Sequence, residues 1–249
     1  ELAFTKHPYQ WDAGGRMGDL DATGPADLET FYRTYYQPNN AVLIVVGDVS
    51  EDSVRVSADK WFAPLAKAPV PPRTAPSSPE PIQLKTRREV VEPSQLGVVI
   101  GGYKIPPAKS PDIRVLEVLS RILSGGDSAR LNQRIVRKDR IGVAAGAVVQ
   151  DLEDPGLFLV FGVYLTPEQG ARVETALQEE IARLANEPVS AAELIKAKNQ
   201  LAFQFVAGLN SVSGVAFQIG SAKLVRNDAN AWVSAYDQYL AVTPEDIVR

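Results

Sequence analysis

Ile141-Gly-Val-Ala-Ala-Gly-Ala-Val-Val149, Gly156-Leu-Phe-Leu-Val-Phe-Gly-Val-Tyr-Leu165 and then Thr166-Pro-Glu-Gln-Gly-Ala-Arg-Val173 show the chain changing its period. The first two runs are apolar, partly β-branched and strand-length, and the acidic turn Asp151-Leu-Glu-Asp154 joins them. From Thr166-Pro167 the apolar spacing becomes helical, with Val173, Leu177, Ile181 and Leu184 in register. Upstream, Gln83–Val91 and Gln95–Tyr103 read as strands. Ser110-Pro111-Asp112 opens a helix carrying Ile113, Leu116, Leu119 and Ile122 on one face. A flexible turn, Ser124-Gly125-Gly126-Asp127-Ser128, precedes a short helix over Ala129–Lys138. Downstream, Ser190-Ala-Ala-Glu193 is a capping box for a helix running to about Leu209. Further helices are expected over 211–225 and 229–241, and one begins at Thr243-Pro-Glu-Asp246. Strands first and then a run of helices predict an α+β fold, with helices packed on one face of an antiparallel-rich sheet.

The first 67 residues read as helix, strand, helix. Leu28, Phe31, Tyr32, Tyr35 and Tyr36 recur at helical spacing behind Pro25, and Pro38-Asn39-Asn40 ends that helix. Ala41–Val46 is a continuous apolar run, expected to be a strand buried on both faces. Ser50 caps a second helix bearing Val54, Val56, Trp61 and Phe62. Residues 68–81 hold six Pro among fourteen, a composition that makes a semi-stiff linker. The expected division is therefore 1–67, linker 68–81, and 82–249. The final Thr243-Pro-Glu-Asp-Ile-Val-Arg249 echoes Thr23-Gly-Pro-Ala-Asp-Leu-Glu-Thr-Phe-Tyr32. The chain thus reads as the tail of one repeat followed by most of a second. That leaves a sheet edge open in the second repeat, and residues 25–63 are expected to fill it, within the chain or by swapping. The opening at Glu1, without Met, basic region or apolar leader, suggests that a segment has been removed upstream.

The chain has 249 residues, 45% hydrophobic and 22% charged, with no Cys. Thiol catalysis, disulfides and thiolate zinc sites are excluded. A net charge of −4 disfavours a nucleic-acid groove. The longest apolar runs are strand-length, too short to span a membrane. The single histidine, His7, cannot supply a two-His metal helix. It reads as a loop residue packing near Tyr9 and Trp11. The cluster Asp151, Glu153 and Asp154 lacks calcium-loop spacing and reads as a solvated turn. Gly125, Gly126, Asp127 and Ser128 precede a helix, where free N–H groups can meet an anion, but no Lys follows in phosphate-loop register. Arg130, Arg134 and Arg137 lie at i, i+4 and i+7. They form either a solvated face or a positive wall for peptide carboxylates. No residue reads as a catalyst and none as a metal ligand.

Three stretches together resemble the M16 zinc-peptidase family. They are His7-Pro-Tyr9 with Asp27-Leu through Phe31-Tyr-Arg-Thr-Tyr-Tyr-Gln-Pro-Asn-Asn-Ala-Val-Leu-Ile-Val-Val-Gly-Asp48; Leu119 to Leu131; and Glu193-Leu through Ala197-Lys-Asn-Gln-Leu201. The resemblance implies the LuxS/M16 metallohydrolase-like fold, in two homologous α+β domains that face each other across a chamber for unfolded peptides. It assigns 1–67 to the end of the catalytic-type domain and 82–249 to a second domain truncated at its C-terminus. Zinc in the family is held by a His-x-x-Glu-His helix and a later Glu, all upstream of the His-Pro-Tyr segment, so zinc belongs to the parent and no cofactor to this chain. An Arg and a Tyr that hold the substrate carbonyl in some relatives fall at Val136 and Val143 here. The expected function is the substrate-chamber portion of a zinc endopeptidase, inactive alone; a non-catalytic scaffold subunit is the alternative. Expected partners are peptide substrate, the missing N-terminal domain and another M16 protomer in a homo- or hetero-dimer. The periplasm is the expected location.

Overall fold

The structure is a computed structural model that describes residues 2–11, 14–71, 80–86, 88 and 96–249. The chain divides into two compact units, Glu1–Val90 and Val91–Arg249. Most of the proline-rich segment, 72–79, lies outside the described residues.

In the first unit, α1 spans Met17–Ala22, α2 Pro25–Tyr35 and α3 Glu51–Phe62. Pro25 occupies the first turn of α2, and the Ser50 hydroxyl accepts from Ser53 N to cap α3, as the sequence predicts. The expected strand Ala41–Val46 does not form: those residues carry no ladder, and Val42, Leu43 and Val45 are exposed. An apolar run becomes a strand only when a neighbour takes up its N–H and C=O groups. Among its described residues this unit contains no strand to do so. The aromatic stripe of α2 is likewise exposed at Leu28, Phe31, Tyr32 and Tyr35. Phe4 and His7 are buried. The His7 ring lies 4.2 Å from Tyr9, and its Nδ1 accepts from Tyr9 N. The Glu80 carboxylate accepts from the backbone N–H groups of Thr5, Lys6 and His7, tying residue 80 to this unit.

The second unit holds β1 Gly97–Lys104, α4 Asp112–Ser124, β2 Ala144–Gln150, β3 Leu157–Tyr164, α5 Pro167–Asn186, α6 Ala191–Gly208, α7 Val212–Arg226, α8 Ala235–Ala241 and α9 Pro244–Val248. The three strands form an antiparallel sheet in the order β1-β3-β2, with Gly101 opposite Val160 and Val160 opposite Ala147. The expected strand Gln83–Val91 lies partly outside the described residues, and its described part carries no ladder. Side-chain alternation sends Phe158 and Val160 of β3 inward, where α5 packs on β3 and β1 while α4 packs on β2. Ile113, Val118, Leu123, Leu131, Ile135 and Val173 complete a core with almost no exposure. The opposite face of the sheet is uncovered, and Val98, Ile100 and Val148 lie exposed on it. Helices on one face of an antiparallel sheet is the α+β arrangement expected.

Two departures sit in the helices. The short helix expected over Ala129–Lys138 is π-helical over Asn132–Lys138, with Asp139 N donating to Arg134 O five residues back. Helix α8 starts six residues later than expected, at Ala235. Among the described residues no single helix is long and apolar enough to cross a membrane, and α6 and α7 break by 112°.

Candidate functional site

The turn Gly125–Ser128 joins α4 to the π-helical segment. A Cβ at Gly125 would stand 2.2 Å from Gln200 Oε1 and 2.5 Å from the Arg121 carbonyl oxygen, so only glycine fits. Gly126 needs its freedom for another reason: φ is +88°, with open space around it.

One stripe of α6 holds this turn. Glu193, Lys196, Gln200 and Gln204 recur at spacings of three and four, which aligns them on one face. Gln200 Nε2 donates to Gly125 O at 2.9 Å, and Lys196 Nζ to Ser128 Oγ at 2.6 Å. Gln204 Oε1 accepts from Arg121 Nη2. Glu193 has two uses. It closes the capping box with Ser190, and it accepts from Arg130 Nε at 2.7 Å and Nη2 at 3.1 Å. The Arg130 guanidinium bonded to it, aided by Ser190, holds the Glu193 carboxyl down to about 2.

Each expected site residue can now be placed. Gly125 and Gly126 line an open groove of 830 Å³ together with Lys196, Asn199, Gln200 and Phe203. Asp127 turns away to other partners, accepting from Arg137 Nη2 at 2.6 Å and from Asn132 Nδ2 at 3.1 Å. Ser128 is bonded to Lys196. The three arginines pair with separate carboxylates. Arg130 reaches Glu193 on α6, Arg134 reaches Asp139 and Glu179, and Arg137 reaches Asp127. The π-helical turn spreads side chains that regular helical spacing would have stacked. In the sequence Glu193 stands out as the end of a capping box and Gln200 only within a family stretch. The apolar face of α4 hides Arg121 from a reading of the sequence. Arg114, Glu117 and Arg121, spaced by three and four, are the signal of a second, polar face.

The donor set does not fit zinc. There is one histidine and no cysteine, and among the described residues no three His, Asp or Glu groups converge as metal ligands. No metal-dependent step is assigned to this chain.

Residues 24–201 match the family model described as the peptidase M16 inactive domain. The chain belongs to the M16 family. A curated M16 relative, the zinc protease PqqE of Helicobacter pylori, is 34% identical over 253 residues, covering 99% of this chain and 56% of that protein. The crystal structure of a protease from Helicobacter pylori superposes with a TM-score of 0.91 at 31% identity, covering 99% of this chain and 60% of the other. The M16 inactive domain from Pseudomonas fluorescens superposes with a TM-score of 0.81 at 19% identity, covering 98% and 58%, which carries the fold alone. This M16 chain thus spans little more than half the length of the relatives it matches.

Proposed function

We propose that this chain is the non-catalytic, substrate-contacting portion of an M16 zinc endopeptidase, with zinc and its ligands held by the remainder of the parent protein. The observation that carries the reading is the match of residues 24–201 to the inactive-domain model, in a chain whose described residues bring no three His, Asp or Glu groups together. The proposed division is 1–67 as the end of a catalytic-type domain, 68–81 as linker and 82–249 as the second domain. The groove beside Gly125 and Gly126 is the proposed peptide contact, with the uncovered sheet face turned to the partner domain. Asp127, Ser128, Arg130 and Arg137 act there by shaping the turn, and Arg134 by tying the π-helical segment to α5, since each side chain is already engaged within the chain. That same engagement favours a second reading, a scaffold subunit whose ion pairs are purely architectural. Export to the periplasm and pairing with another M16 protomer belong to the proposal too, on the family resemblance.

The test compares this chain with the full gene product on a quenched-fluorescence peptide. The chain alone should be inert, and the full product should cleave the peptide and lose that activity to a chelator. Chelator-sensitive cleavage that follows the chain through purification would overturn the reading. An intact full product with no activity alone or with a second M16 protomer would favour the scaffold.

A further inference from the structure

The second unit contains another cavity, of 590 Å³, partly open to solvent and bordered by β2, α4, α6, α7 and the segment around Trp232. Its size is in the ordinary range for a small-molecule site. Charge is distributed unevenly along its lining. Arg114 pairs with Glu117 at 2.8 Å and also donates to the Tyr239 hydroxyl at 2.9 Å. Burial, with Glu117 adding to it, pushes the Tyr239 phenol up, so it stays protonated. Arg226 pairs with Asp151 at 3.1 Å and donates to Ala108 O. The third cation is Arg121. Its Nη2 meets only the neutral amide of Gln204, and its Nε is buried with no acceptor. Three guanidinium groups against two carboxylates leave one positive charge in excess, and it sits on Arg121.

A buried guanidinium N–H without an acceptor is a standing cost that a carboxylate would remove by a charge-assisted hydrogen bond. The excess is a single charge, and Glu117 and Asp151 in the same lining repel a second negative one, so the fitting anion is a monocarboxylate. The rest of the lining says what that carboxylate should be attached to. Phe205 and Trp232 stand with ring centroids 6.1 Å apart, and Phe217 lines the same space while remaining largely exposed. Aromatic side chains offer a ring the offset and edge contacts it prefers.

We infer that this cavity binds an aromatic monocarboxylate, with the carboxylate on Arg121 and the ring among Phe205, Phe217 and Trp232. The inference does not depend on the peptidase reading. Two sources present this chemistry: a free N-acyl aromatic amino acid and the C-terminal residue of a peptide. Arg121 and Gln204 also line the groove beside Gly125, so the experiment must separate the cavity from the groove.

The whole chain is titrated by calorimetry with N-acetyl-L-phenylalanine, its carboxamide, N-acetylglycine, and a hexapeptide ending in Phe with a free or amidated C-terminus. N-acetyl-L-phenylalanine should bind saturably, the carboxamide and N-acetylglycine at least about tenfold more weakly. Arg121→Met and Gln204→Glu should each lose binding at least about tenfold, the second because it supplies Arg121 with an internal carboxylate. Neither should lower the melting temperature, since both relieve the orphaned donor. Phe217→Ala, at an exposed position in the cavity, should weaken binding, whereas Phe203→Ala, at an exposed position in the groove, should not. Equal binding of the free-acid hexapeptide and the small acid identifies a peptide terminus as the source; binding of the small acid alone identifies a free metabolite. Both support the site. Carboxamide binding as tight as the acid, unchanged binding by Gln204→Glu, sensitivity to Phe203→Ala alone, or no saturable binding of any probe would overturn it.

Discussion

Gly125 and Gly126 are adjacent, yet each is glycine for a separate reason, and the two substitutions should fail differently. At Gly125 an added methyl meets the Arg121 carbonyl oxygen, which is backbone and cannot swing aside, as well as Gln200. Gly125→Ala should therefore cost about 1–3 kcal/mol by overpacking and release the Gln200 amide from the turn. At Gly126 there is space but a left-handed backbone, and Gly126→Ala should cost about 1–2 kcal/mol through strain alone. Urea midpoints measure both. Loss of the Gln200 side-chain amide shift in an NMR spectrum should accompany only the first. Two successive glycines before a helix are legible as a turn in any sequence. What they press against is not legible, because Gln200 lies far away along the chain and only packing brings it close.

Helix α6 shows how one element can be read correctly and still hold back its main role. The Ser190–Glu193 capping box marks its start in the sequence and is present in the structure. The second task of Glu193, gripping Arg130 across 63 residues, left no local trace. Its consequence is a pH dependence. The folded pKa of Glu193, about 2, lies below the value of about 4.3 in an unfolded chain. The stabilisation is therefore full above about pH 4.5 and is lost as pH falls toward 2. The carboxylate is partly exposed, so about 1–2 kcal/mol is expected after solvent screening. Arg130→Gln should flatten the fall in unfolding free energy between those pH values. An unchanged profile in that variant would remove the pair from the account. The segment Ala41–Val46 is the opposite case, an element named from composition that the structure does not contain. Composition states that an apolar run wants burial, but a strand also needs a partner for its backbone. The π-helical turn escaped for a related reason, since a one-residue widening leaves the apolar pattern of Leu131 and Ile135 intact while redirecting the arginines around it.

At the scale of the molecule, the second unit has its core on one side of a sheet and apolar side chains bare on the other. Because Val98, Ile100 and Val148 support nothing within this unit, replacing them should leave its stability almost untouched. Val98→Lys with Ile100→Lys should shift the unfolding free energy by no more than about 0.5 kcal/mol per substitution. The pair should reduce binding of an apolar fluorescent dye and weaken association with the separately expressed remainder of the parent. A large loss of stability instead would mean that the face is part of the core. The strand order has a further meaning when the fold is followed in time. Central strand β3 is the last of the three to be synthesised. It meets β2 across the short turn 151–156 but must wait for β1 to return from beyond α4. Local pairing closes the smaller loop and so should come first. Val160, which faces both neighbours, then belongs to the early nucleus, and Val99 on β1 to the late docking step. In stopped-flow refolding, Val160→Ala should slow the folding rate, while Val99→Ala should chiefly hasten unfolding. A ribosome halted before residue 157 would hold two strands that have no reason to meet.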